Sequence, residues 1–172
     1  KLKGVSRADS LKFILTLANK SLSHSEFDAD LQRKNEWYLE LVKDMGPDDV
    51  LPGVPDFFAQ VDELKLPLAL GSASKNATMV LTRVGLVEAF DAIVDAGQVK
   101  QGKPHPETFL TAADMLGFPP SQCIVFEDSA AGVQAAIAAG MRAVGIGKPE
   151  DLPGAIMHIN NLGEFDFDVL DD

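Results

Sequence analysis

Two adjacent acids, Glu127 and Asp128, follow directly on the apolar run Cys123 to Phe126 and precede a small-residue helix expected over Ser129 to Ala139. Open α/β sheets bind ligands beyond the carboxyl ends of their strands, and paired carboxylates there suit a hard divalent cation such as Mg²⁺. Either acid could instead cap the helix. Capping needs only one, however, and two neighbouring negative charges repel unless a cation relieves them. The segment Leu70-Gly71-Ser72-Ala73-Ser74-Lys75-Asn76 is a second strand-to-helix junction, where hydroxyls, an ammonium and backbone N–H groups could hold a phosphate. Ser and Asn also favour helix caps, so this pattern alone serves either purpose. A third junction is Gly102-Lys103-Pro104-His105-Pro106, in which two prolines stiffen the loop that carries the amine and a cis Lys103-Pro104 bond is compatible. Metal-assisted phosphoryl chemistry is the reading that uses all three.

Other reactive residue types form no constellation. His24 lies among serines, His105 between prolines and His158 on a late strand, so no metal spacing or triad emerges. Cys123, the single cysteine, sits in an apolar run and reads as a small core hydrophobe; no internal disulfide can form, which fits a reducing cytoplasm. With 15 basic against 26 acidic residues the net charge is −11, which opposes binding to nucleic acid or anionic membrane surfaces. No apolar run is long enough to span a bilayer.

The elements that must position these residues follow from hydrophobic rhythm. Helical spacing over Ser10 to Leu17 and Phe27 to Val42 predicts two antiparallel helices, in which Trp37 and Tyr38 read as packing residues. Gly46-Pro47 breaks that pattern and marks a boundary, dividing residues 1–48 from 49–172. Beyond it helices and strands alternate. Helices are expected at Val54 to Leu64, Asn76 to Val84, Pro106 to Leu116 and Ser129 to Ala139. Strands are expected at Leu66 to Gly71, Ala92 to Asp95, Cys123 to Phe126, Ala143 to Ile146 and Ile156 to Ile159. Near-continuous apolar strands separated by helices predict a Rossmann-like α/β core with a parallel sheet, residues 49–172, preceded by a partial helical cap, residues 1–48. Gly85, Gly117 and Gly140 are placed to end helices in the left-handed conformation.

Ser72 at one strand end, Lys103-Pro104 at the next junction and Glu127-Asp128 after a third resemble, in order and spacing, the haloacid dehalogenase superfamily of phosphotransferases. The segments Leu2-Lys3-Gly4-Val5-Ser6-Arg7, Arg33-Lys34-Asn35, Ser74-Lys75-Asn76 and Phe126 to Gly132 narrow the resemblance to its hexose-phosphate mutases. The resemblance implies that Ser72 and Lys103 hold the phosphoryl group in transfer, and that Glu127 and Asp128 help bind Mg²⁺. It implies further that Arg7, with Ser74, Lys75 and Asn76 and the adjoining Ala73, grips the phosphate that stays on the sugar. Ser6, Ser10 and Lys34 would line the sugar side of the cap. The expected reaction interconverts β-glucose 1-phosphate and glucose 6-phosphate through an aspartyl-phosphate and a β-glucose 1,6-bisphosphate. A sugar-phosphate phosphatase and a non-catalytic phospho-ligand or partner-binding module are the alternatives.

One family element has no counterpart. The two catalytic aspartates of the superfamily lie in an Asp-x-Asp-Gly segment ending its first strand, the middle strand of the sheet, whereas Asp28-Ala29-Asp30 falls on an expected cap helix. Leaving out a central strand would cost more than the ~5–15 kcal/mol that stabilises a domain. The expectation is therefore that an adjoining stretch of the same product, or a neighbouring chain, supplies it, and that these 172 residues alone are inactive. Lys103 is expected to serve the chemical step far more than folding.

Overall fold

The helical pair comes first in the computed structural model, which describes residues 2–170. Helix α1 (Arg7–Leu17) is capped by Ser6, whose hydroxyl accepts from the Asp9 amide at 3.1 Å. Helix α2 (His24–Val42) opens with a capping box between Ser23 and Glu26. Both helices start about a turn earlier than the apolar rhythm indicates, because their first turns are polar and offer that rhythm nothing to detect. Leu31, Asn35, Tyr38 and Val42 make the inward face of α2 at helical spacing. Trp37 falls off that face and is 64% exposed, with the Arg33 guanidinium 5.8 Å from its ring centroid. It is not a packing residue, contrary to the sequence reading. A short 3₁₀ turn at Pro47–Asp49 follows, where the sequence breaks.

Alternation then sets in as expected. Helix α3 (Val54–Glu63) precedes β1 (Ala69–Gly71), and α4 (Ala77–Arg83) precedes β2 (Ala92–Val94). Helix α5 (Glu107–Leu116), β3 (Ile124–Glu127), α6 (Ala130–Ala138), β4 (Arg142–Ile146) and β5 (Met157–Ile159) complete the order. All observed pairings are parallel, as buried apolar strands joined through helices require. Gly85, Gly117 and Gly140 have φ of +76°, +76° and +77°, the left-handed endings expected of them.

The sheet is in two sections: β1 pairs with β2, and β3-β4-β5 run side by side. Among the described residues no strand joins β1 to β3, so the centre of the sheet is not re-formed. β1 is shorter than the run Leu66 to Gly71 because Leu66 still closes α3, donating to the Val61 carbonyl at 3.0 Å, and Pro67 has no N–H to give to a ladder.

Period-2 alternation divides the core between the two faces of the larger section. Val125 and Ala143 meet Phe109, Ala113, Val133, Ala135 and Ala136 from α5 and α6. Alanines here let α6 lie close on the sheet, and Val133, Ala135 and Ala136 are fully buried. Val144, Ile159 and Phe126 face the other way, into a cluster with Phe57 and Val61 of α3, Leu68 and Phe165. Its aromatic rings meet edge to face, Phe126 lying 4.9 Å from Phe57 and 4.7 Å from Phe165. Leu68, just before β1, shares this cluster with Ile124 and Phe126 of β3, so α3 and its phenylalanines hold the two sheet sections to one core.

Phe57→Ala should therefore destabilise the fold by about 3–5 kcal/mol, read as a lower urea midpoint. An unchanged midpoint would mean that the aromatic cluster does not hold the sections together.

Candidate active site

Lys103 crosses between the two sections. Its Nζ donates to the carbonyl of Gly71, at the end of β1, at 3.0 Å, and to both Glu127 carboxylate oxygens, at the end of β3, at 3.3 and 3.4 Å. The ammonium also sits 4.5 Å from the centroid of the Phe109 ring, a favourable seat for a cation. Both charged residues are 7% exposed. Burial of this kind is tolerated because the charges are paired and hydrogen-bonded.

Glu127 is fixed from its other side by Ser129, which donates to Oε1 at 2.8 Å while accepting from the Gly132 amide at 3.0 Å. One hydroxyl thus caps α6 and aims the carboxylate. Gly132 makes the arrangement possible, for any Cβ there would lie 2.0 Å from Glu127. The neighbouring Asp128 is exposed and carries an ion pair to Lys3, Oδ2 to Nζ at 2.9 Å. Lys3 belongs to the turn ahead of α1 that presses on the start of α6. Gly4 has φ +74°, and a Cβ there would be 2.1 Å from the Ser129 hydroxyl.

The loop after β1 builds a second group. The Ser72 amide extends the ladder by donating to Val94 O at 2.8 Å. The Ser72 hydroxyl then accepts from the Ser74 amide, and the Ser74 hydroxyl from the Asn76 amide, both at 3.1 Å. These bonds are the local capping use that the sequence leaves open. Asn76 stands at the N-cap of α4, but its side chain makes no capping bond. It reaches to α2, where Nδ2 donates to Asn35 Oδ1 at 2.9 Å. Arg7, from α1, donates to the same oxygen at 2.6 Å and to the Leu31 carbonyl at 3.1 Å. Arg7 and Asn76, predicted as one phosphate grip from distant segments of the chain, are thereby brought together.

Several predicted residues stand apart from this convergence. Lys34 and Lys75 are exposed, and Ser10 and Ala73 are half-buried. Ser6 is engaged in capping α1 and also donates to Asp9 Oδ2 at 2.6 Å. That bond, ahead of the Lys12 ammonium, holds the Asp9 carboxyl below its ordinary value. Asp28 and Asp30 lie on α2, Asp28 3.4 Å from the His24 ring and Asp30 paired with Arg33. The Cys123 thiol, half-buried, is pushed up by burial, as suits a packing cysteine.

The sequence reading assigns no role to Phe109, Ser129, Gly132, Asn35 or Glu107, although Asn35, Ser129 and Gly132 fall within segments that carry the resemblance. Glu107 opens α5 and folds back on the loop before Lys103, accepting from the Lys100 and Gln101 amides at 2.9 and 3.0 Å. Its spacing from a loop seven residues earlier carries no local signature. Ser129 could have been found, as a helix cap next to the acids.

No group of three His, Cys, Asp or Glu side chains that could hold a metal ion occurs among the described residues. The acids at the end of β3 nevertheless fit magnesium, which takes oxygen donors and characteristically binds through one or two carboxylates plus phosphate and water. Asp128 is the accessible donor, since an exposed ion pair like that with Lys3 is worth only about 0–1 kcal/mol. Glu127 is drawn toward Lys103.

A profile of haloacid dehalogenase-like hydrolases matches residues 5–140. The chain belongs to this family. It is 36% identical over 172 residues to the β-phosphoglucomutase of Bacillus subtilis, an alignment spanning 99% of this chain and 76% of the relative. Its fold matches the crystal structure of β-phosphoglucomutase from Clostridium difficile with a TM-score of 0.93 and 38% identity, covering 99% of this chain and 77% of that one. A shorter match, 49% identical over 82 residues, is to the fructose-1-phosphate phosphatase of Escherichia coli and covers 46% of this chain and 44% of the relative. The mutase resemblance drawn from the Gly-Val-Ser-Arg and Ser-Lys-Asn segments is thus borne out, as is the α/β fold.

Burial of the Lys103–Glu127 pair revises one expectation. Lys103→Ala leaves a buried carboxylate without its cation and should cost about 3–5 kcal/mol of stability, measured by chemical denaturation; a loss below about 1 kcal/mol would show a pair that behaves as if exposed. Glu107 gives a pH test. Bonds from the Lys100 amide first, and then Gln101, hold its carboxyl below the ordinary 4.5. A depressed carboxylate stabilises above the unfolded value, and that contribution is lost as pH falls through the lower folded value. The Lys100 and Gln101 amide resonances should titrate with a midpoint below 4.5, and a midpoint at or above it would contradict the contact.

Proposed function

We propose that this chain forms most of a β-phosphoglucomutase, interconverting β-glucose 1-phosphate and glucose 6-phosphate through an aspartyl-phosphate and a β-glucose 1,6-bisphosphate. The observation that carries this reading is the likeness to β-phosphoglucomutases over 99% of the chain, in sequence and in fold alike. Two separate clusters of potential anion donors support it. Lys103 stands at the strand ends beside the Ser72 loop. Arg7 and Asn76 meet on Asn35 between cap and core. A bisphosphorylated sugar that must turn end for end needs both ends gripped, whereas a hydrolase has less use for the second grip.

Within this reading each group has a physical task. Lys103 presents a positive charge to the phosphoryl oxygens as they pass from donor to acceptor, and the Ser72 hydroxyl and neighbouring amides orient them. Glu127 keeps the ammonium in place, and Phe109 shields its flank from water. Asp128 and Glu127 would hold a magnesium ion, which would neutralise charge on the transferring group. Arg7, Ser74, Lys75 and Asn76 hold the resting phosphate, while Ser6, Ser10 and Lys34 flank the sugar. Closure of the α1–α2 cap over the core excludes water in favour of the sugar hydroxyl. The nucleophilic aspartate is not among these residues. A strand running between β1 and β3 and ending in Asp-x-Asp-Gly, from the same product or a neighbouring chain, would supply it, and a cytoplasmic setting suits the phosphorylated hexose.

The phosphatase reading is favoured by the hydrolase family profile and by the 49% identity to the fructose-1-phosphate phosphatase over 82 residues. Phosphorus NMR separates the two. With the Asp-x-Asp-Gly strand supplied in one polypeptide, β-glucose 1-phosphate and a trace of the bisphosphate should yield glucose 6-phosphate; inorganic phosphate as the sole product would establish hydrolysis. Arg7→Ala should cut mutase turnover by about tenfold or more, the loss of one charge-assisted bidentate contact, and unchanged turnover would remove Arg7 from the grip.

A further inference from the structure

Among the described residues Asn35 is the one side chain that touches both halves of the proposed second anion-binding group. It lies half-buried on the inward face of α2. Its Oδ1 accepts from Arg7 Nη2 at 2.6 Å and from Asn76 Nδ2 at 2.9 Å, so a helix of the cap and the N-cap residue of a core helix are tied to one oxygen. The residues are 28 and 41 positions from Asn35 along the chain. Only the folded arrangement brings them together. The Leu31 carbonyl, one turn earlier on α2, takes the other arm of Arg7 at 3.1 Å and fixes the plane of the guanidinium.

An amide oxygen that gathers a guanidinium N–H and a carboxamide N–H holds the two groups side by side, leaving their remaining N–H donors to a ligand. Arginine carries more N–H donors than these two contacts use, so the guanidinium can hold Asn35 and an anion together. Donors held at the right separation before the ligand arrives lose less freedom on binding. Asparagine suits the position because it accepts without carrying a charge. An aspartate would pair with Arg7 and repel the anion.

We propose that Asn35 is a positioning residue for the sugar-phosphate grip: through a single oxygen it pre-aligns Arg7 of the cap with Asn76 of the core, making one anion clamp across the cap–core seam. This rests on the reading of Arg7 and Asn76 as phosphate ligands. It adds to that reading a residue which holds the clamp without touching the sugar, and a link by which cap closure and phosphate binding favour one another.

The test is calorimetric titration with glucose 6-phosphate of the protein carrying the Asp-x-Asp-Gly strand in one polypeptide. Asn35→Ala should raise Kd at least about fivefold, the effect of one hydrogen bond to a charged group. Asn35→Asp, close to isosteric and so a safeguard against misfolding, should raise Kd further, and the penalty should shrink in high salt. In an Arg7→Ala, Asn76→Ala background the Asn35→Ala change should add less than about twofold, because a residue acting through others has nothing left to align. Unchanged Kd in Asn35→Ala or Asn35→Asp, or a full additive loss in the double background, overturns the inference while leaving the grip intact. A strand-completed parent that folds cooperatively but does not bind glucose 6-phosphate overturns the grip and the inference together.

Discussion

The buried ammonium of Lys103 is the interaction on which the site depends. It is the one described cation that meets the ends of both sheet sections, through the Gly71 carbonyl and the Glu127 carboxylate. A charge buried this far is stable only if its partners are fixed, and that requirement propagates outward. Glu127 must be aimed by Ser129, Ser129 must cap α6, and position 132 must be glycine for the carboxylate to fit. Phe109, from the first turn of α5, closes the remaining side. Buried charge and sheet architecture are thus one construction, which gives the lysine structural weight whatever its part in the proposed chemistry.

A second connection links the helical cap to the core. Arg7, Asn35 and Asn76 form it through one shared oxygen, and Arg83 of α4 adds a bond to the Lys43 carbonyl beyond α2. The turn at Lys3 and Gly4 does the same at the other end of the site, against Asp128 and Ser129. The cap therefore meets the core at the acids on one side and at the cluster of Arg7, Asn35 and Asn76 on the other.

Much of this was legible in the sequence, and the reasons differ by element. Strand order and helix alternation followed from apolar rhythm because the core strands are buried on both faces. The glycines at 85, 117 and 140 marked helix ends because only a left-handed residue satisfies that geometry. Helix starts were misplaced where first turns are polar, as at Arg7 and His24. Trp37 was misread because composition suggests burial while its angular position on α2 does not. The roles of Phe109, Gly132 and Asn35 were invisible, since each depends on a contact between segments far apart in the chain. Even the Lys103–Glu127 partnership could only be suspected as common membership of one edge, its burial being a property of the assembled core.

The most direct measurement is a double-mutant cycle on Lys103→Met and Glu127→Gln, with unfolding free energies for the parent, the two single variants and the double variant. Partners in one buried network should couple by about 1–3 kcal/mol, with the double variant more stable than the sum of its single losses allows. Strict additivity, to within about 0.3–0.5 kcal/mol, would mean that the two strand ends are not joined through this pair, and the convergence on which the site is built would be contradicted.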